Sequence, residues 1–130
     1  FSGIKDSSDD LGNMQALVKA FPGLAVLAGA DPLMLPLLRD GGAGCITATS
    51  NLVAPDLAFV FRHHADAARA AEVAAAQARI VAARNLASRF LLIASLKVLL
   101  AARTGSPGWR RLRPPLMPLT QEEAAALLAA

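Results

Sequence analysis

Few side chains in this sequence can act on a substrate, and the foremost lies near its start. Lys5 sits in Phe1-Ser2-Gly3-Ile4-Lys5-Asp6-Ser7-Ser8, where a short apolar segment meets a polar loop. A lysine at the end of a buried strand is poorly solvated, and desolvation disfavours its charged form. A partly neutral amine near pH 7 can attack a ketone. An ordinary surface lysine closing a strand fits the same eight residues, because functional and structural lysines share this pattern. Asp31, Thr47 and Thr49 are further polar groups placed where apolar runs end.

Other reactive residues point away from chemistry. His63-His64 with Asp66 is a poor metal set, since adjacent helical residues point about 100° apart and the i, i+4 spacing of zinc helices is absent. These histidines suit the surface near a helix end. No metal and no cofactor is expected. Cys45 is the single cysteine, so no internal disulfide can form. It reads as a small core residue in a reducing, cytoplasmic setting. Gly41-Gly42-Ala43-Gly44 lacks the Gly-Lys-Ser/Thr of a phosphate loop and precedes a strand rather than opening a helix. Trp109-Arg110-Arg111-Leu112-Arg113 is basic but isolated, and suits a solvated or subunit-facing loop better than a nucleic-acid surface.

The elements that must position Lys5 follow from periodicity. Residues 2–5 read as a strand, and Asp9 or Asp10 can cap a helix to about Ala20, with Leu11, Met14, Leu17, Val18 and Phe21 on one face. Residues 24–28 form a continuous apolar run, as in a strand covered on both sides. Asp31 is expected to cap a helix whose first residue is Pro32. Residues 43–48 read as a third strand, with a helix near residues 55–64. Strands alternating with helices build a parallel sheet, whose C-terminal strand ends carry the polar loops. Past residue 66 the strand signals stop. Helices are expected over residues 67–86 and 88–103, a stiff segment over 114–118, and a capping box at Thr120 and Glu123. Residues 1–65 are thus βα units and 66–130 a helical extension.

Composition allows this. A chain of 130 residues that is 55% hydrophobic and 18% charged can bury a core and is not a disordered segment. The net charge of +3 is too small to indicate a nucleic-acid partner. The most apolar stretch, residues 90–102, is interrupted by Ser95 and Lys97 and is too short to cross a bilayer. The chain opens on Phe1 almost directly into a strand, which is read as the C-terminal part of a longer protein.

Four segments, in order, carry a resemblance. Residues 3–8 (Gly-Ile-Lys-Asp-Ser-Ser) resemble the Schiff-base lysine strand of the dihydrodipicolinate synthase / N-acetylneuraminate lyase family. Gly29-Ala30-Asp31 looks like the end of its next strand, residues 41–51 like its last barrel strand and loop, and residues 113–120 like its closing segment. The resemblance implies a (β/α)8 barrel of the TIM type, of which this chain supplies strands six to eight and a C-terminal helical extension.

It also implies roles. Lys5 would form an imine with pyruvate or another 2-keto acid, for cleavage to, or condensation with, an aldehyde. Gly29, Asp31, Ile46 and Thr47 would lie at the substrate: Gly29 where backbone approaches it, Asp31 where one branch binds sugar hydroxyls, Ile46 through its main chain, Thr47 through a hydroxyl at the same mouth. Plain readings stand beside these: a turn glycine, a helix cap and a core strand residue. Pro32 and Ala48 replace the Glu and Ser that the sialic-acid branch uses, so a shorter substrate is expected. The family's carboxylate-binding hydroxyl pair and its relay tyrosine would lie outside these residues, and the chain contains no tyrosine. A homo-oligomer, tetramer or dimer, is expected of the whole protein and no turnover of the isolated chain. A non-catalytic barrel derivative serving as a helical interaction module is the alternative.

Overall fold

The computed structural model describes all residues, 1–130. Strands β1 (Gly3–Asp6), β2 (Ala25–Ala28) and β3 (Gly44–Cys45) form one parallel sheet in sequence order. Helices α1 (Leu11–Ala20) and α2 (Met34–Arg39) link them, and α3 (Ser50–His63) follows β3. The two links are therefore βαβ crossovers, the short-range route to parallel pairing. Then come α4 (Ala70–Ala87), α5 (Leu92–Thr104) and α6 (Gln121–Leu128). The chain divides into two compact units, Phe1–Val81 and Ala82–Ala130. The division falls inside α4, later than the change of composition at residue 66.

In the first unit the register sets the faces. Ile4, Val26 and, one step on, Asp6, Ala28 and Cys45 align across the sheet, whereas Lys5, Leu27 and Gly44 align on the other side. Val26 and Ala28 are fully buried with Met14 of α1 and Leu37 of α2, and Leu11, Leu17, Val18, Leu24, Leu33 and Cys45 pack round them. This is the helix-facing core. Burying an aliphatic side chain of this size stabilises the fold by roughly 1.5–3 kcal/mol. Gly42 is needed where α2 returns to the sheet, because a Cβ there would lie 2.3 Å from the Leu37 side chain.

Helix starts follow local chemistry. Asp10 is extended and accepts from the Asn13 N–H at 3.2 Å, capping α1. Thr120 accepts from Glu123 N–H at 3.1 Å while Glu123 accepts from Thr120 N–H at 2.8 Å, the expected capping box. Pro55 lies within α3, tolerated because the helix is kinked at Val53 (φ −120°, ψ 23°) just before it. In the second unit Val98, Ala124 and Leu127 form a core with Phe90, Leu99 and Leu119 against it. Gly105 ends α5 in the left-handed region at φ 66°. No single helix is long and apolar enough to cross a membrane.

Three expectations need correction. The third strand pairs only through Gly44–Cys45, not residues 43–48, although Ile46 N–H still reaches the Ala28 carbonyl at 2.9 Å. Helix α3 begins at Ser50 rather than near Pro55, and α5 begins at Leu92 rather than Ser88. In the last case Ser88 and Arg89 N–H still bond back to Arg84 and Leu86, finishing α4.

Candidate active site

The polar residues named from the sequence lie near the C-terminal ends of the strands and in the loops that follow them, and of these Asp31 and Thr47 are in direct contact. Lys5 is the only lysine in the sheet, one residue from the end of β1, on the face turned away from α1 and α2. Its side chain is exposed. The expectation of a poorly solvated amine is therefore not met within these 130 residues. The cause is placement: β1 is the edge strand and Lys5 points away from the packed helices.

Asp6 points the other way and is buried, 8% exposed. Its carboxylate accepts from Ser8 N–H at 2.7 Å and from the Asn13 amide at 2.7 Å. The Ser8 hydroxyl and then the Ser8 N–H hold this carboxyl below the usual carboxylate range, with the Asn13 amide helping, against a smaller opposing effect of burial. Gly29 closes in from the neighbouring loop. Its N–H donates to the Asp6 carbonyl at 2.6 Å. A Cβ at Gly29 would stand 2.5 Å from Ser7 Oγ, 2.6 Å from the Asp6 carbonyl oxygen and 2.8 Å from Ser7 Cα. Gly29 is thus required for close backbone approach next to Lys5, and the plain turn reading is replaced by this packing role.

Asp31 is fully buried and accepts a hydrogen bond from the Thr47 hydroxyl, joining the loops after β2 and β3. The expected capping role is not met: the cap position is Ala30, Asp31 opens a 3-10 turn containing Pro32, and its side chain turns to Thr47 instead of the helix N–H groups. Ile46 is 52% exposed, so its reading as a core residue is also corrected; strand alternation after Cys45 puts it on the face shared with Lys5 and Leu27, turned away from α1 and α2. Thr49 is fully buried at the start of α3 with no hydrogen-bond partner for its hydroxyl.

Cys45 packs on the core as expected, with its thiol 3.3 Å from the Met34 sulfur. Burial, and then the Asp31 charge, push the thiol from 9.0 up to about 11. Alkylation by iodoacetamide at pH 8 should therefore run about 100-fold slower than for a free thiol, and its rate should climb with pH toward 11; a rate matching free cysteine would contradict this placement. His63 packs on Phe59 with ring centroids 4.7 Å apart and the rings tilted by 50°, Arg69 lies 5.9 Å above the same ring, and His64 Nδ1 is 2.8 Å from the Phe61 carbonyl oxygen. The histidines are thus engaged in a local turn. A cleft of about 550 Å³ is mostly apolar, lined by Leu27, Met34, Cys45, Leu57 and Phe61 with Arg62 its one charged residue. It does not include Lys5.

Sequence reasoning missed Asp6 and the Asp31–Thr47 link. The Asp6 signal was present, since an Asp two residues before a Ser favours a side-chain-to-backbone turn. The Asp31–Thr47 link spans two loops and leaves no local pattern.

The model of the dihydrodipicolinate synthetase family matches residues 1–130. The chain belongs to that family. It is 41% identical over 131 residues to a DapA-like lyase of Chloroflexus aurantiacus, covering 100% of this chain and 42% of the relative. A DapA-like lyase of Halobacterium salinarum is 35% identical over 128 residues, covering 98% of this chain and 41% of its own. The chain therefore spans less than half the length of these relatives. Among solved structures, the Sulfolobus 2-keto-3-deoxygluconate aldolase in complex with D-KDPG matches with TM-score 0.86 and 22% identity, over 99% of this chain and 43% of that one. Dihydrodipicolinate synthase of Aquifex aeolicus matches with TM-score 0.84 and 18% identity, over 99% and 43%. At these identities the likeness is one of fold. Both are TIM barrels, so the three-stranded parallel sheet with its helices is the fold of part of such a barrel.

Proposed function

We propose that this chain supplies strands six to eight and the helical extension of a (β/α)8 barrel, and that the natural-length protein is a lysine Schiff-base lyase or synthase acting on pyruvate or a short 2-keto acid. The observation that carries this is the position of Lys5: the only lysine of a parallel sheet, near a strand's C-terminal end, on the face away from the helices. That end of a parallel barrel is where catalytic groups gather. The rest of the barrel wall would supply the desolvation that the sheet alone does not.

The chemistry is then specific. Lys5 Nζ adds to the keto carbon, water leaves, and a protonated imine results. Loss of a proton from the adjacent carbon gives an enamine, which attacks an aldehyde; in the cleavage direction the enamine forms as the carbon–carbon bond breaks. Gly29 and Ile46 would offer backbone at the reacting end, while Asp31, buried, would act by orienting the Thr47 hydroxyl. Pro32 and Ala48 offer no sugar-hydroxyl contacts, which favours a short substrate. The isolated 130 residues, with two open sheet edges, would self-associate and lack turnover.

Enamine formation is visible without knowing the aldehyde. The natural-length protein in D2O should exchange the methyl protons of pyruvate, followed by loss of the NMR methyl signal, and Lys5→Ala should not. Exchange no faster than buffer would refute the reading.

A further inference from the structure

We propose that Asp6 is the positioning residue of Lys5: by clamping the strand end, its loop and the start of α1 together, it fixes the direction in which the Lys5 side chain leaves β1. This rests on the reading of Lys5 as the imine-forming amine.

Three hydrogen bonds from one residue carry the inference. Oδ1 takes the Ser8 N–H at 2.7 Å, Oδ2 takes the Asn13 amide at 2.7 Å, and the main-chain carbonyl takes the Gly29 N–H at 2.6 Å. They tie Asp6 to its own loop, to α1 and to the loop after β2. The far ends are held as well. Asn13 N–H donates to Asp10, and Asp10 N–H donates to Ser8 Oγ at 3.2 Å. Asp9 sits in the left-handed region at φ 59°, a conformation that persists where neighbours determine the backbone. Ser7 is in turn confined by Gly29, where there is no room for a Cβ.

A carboxylate suits this place because it accepts at both oxygens while buried, and the N-terminal turn of α1 favours negative charge. Lys5 is the adjacent strand residue, so its side chain projects to the opposite face. The link between the two is therefore covalent and geometric rather than a through-space ion pair. A displacement near 1 Å at a reacting group can cost roughly 100-fold in rate.

The test uses pyruvate methyl exchange in the natural-length protein, resolved into the maximal rate and the half-saturating concentration. Asp6→Ala should lower the maximal rate by about 10- to 100-fold with little change in half-saturation. Asp6→Asn should restore most of the rate, because its oxygen still accepts from Ser8 and a flipped Asn13 amide can pair with the new amide. Asn13→Ala, at an exposed site, should fold normally and lose part of the rate. Wild-type exchange in a folded Asp6→Ala, or Asp6→Asn as slow as Asp6→Ala, would overturn the proposal. If Asp6→Ala does not fold, an undiminished rate in Asn13→Ala overturns it. Exchange that persists in Lys5→Ala would instead remove the Schiff-base reading itself, and the role of Asp6 with it.

Discussion

Lys5→Ala should reduce turnover of the natural-length protein on the order of 10⁴-fold or more, as expected when a covalent nucleophile is lost. Its melting temperature should stay close to wild type. In the closed barrel Lys5 would be a desolvated amine, and replacing it with alanine removes a group that is costly to bury, so the fold loses no partner it needs. The contrast between the two readouts is the point of the experiment. Steady-state kinetics with circular dichroism melting would show it. A variant that keeps a tenth of its activity would mean that Lys5 assists binding without forming the covalent bond.

Gly29→Ala should show the opposite profile, with stability and activity falling together. The new methyl would sit 2.5–2.8 Å from Ser7 Oγ, the Asp6 carbonyl oxygen and Ser7 Cα. Two of these three atoms are backbone, so rotation of a side chain cannot relieve the clash. Overpacking of this kind typically costs about 1–3 kcal/mol. Relief requires the loop after β2 to move from the loop after β1, which stretches the 2.6 Å bond from Gly29 N–H to Asp6. That displaces the backbone next to Lys5, so the maximal rate should drop as well. Chemical denaturation and kinetics on the same preparation would measure both. Wild-type stability in Gly29→Ala would show that the two loops can separate freely.

The parts of this fold that were legible are those written in local chemistry. The apolar run of residues 24–28 became β2, Asp10 became the cap of α1 three residues before Asn13, and Thr120 with Glu123 became a capping box. Each depends on groups within a few residues of one another. The order of four short motifs sufficed for the family, now shown by the match over residues 1–130. What was not legible depended on distant partners. Asp31 resembled a helix cap because Pro32 follows it, yet its carboxylate goes to Thr47 across a neighbouring loop. Ile46 continued an apolar run, but it follows Cys45 onto the Lys5 face of the sheet, which α1 and α2 do not cover. The solvation of Lys5 depends on what covers the far face of the sheet, and no spacing near residue 5 encodes that.

Asp6 marks the boundary between these cases. Its bond to Ser8 is local and could have been read from the sequence; its bonds to Asn13 and Gly29 need the packed sheet and helix. The residue beside Lys5 therefore looked like loop polarity until the structure gave both of its oxygens a partner.

The most direct measurement is mass spectrometry of the natural-length protein after incubation with pyruvate and borohydride. Reduction of the imine would leave a stable pyruvate-derived adduct, and peptide mapping should place it on Lys5 and on neither Lys19 nor Lys97. An unmodified Lys5 peptide, or an adduct of equal yield in Lys5→Ala, would contradict the account.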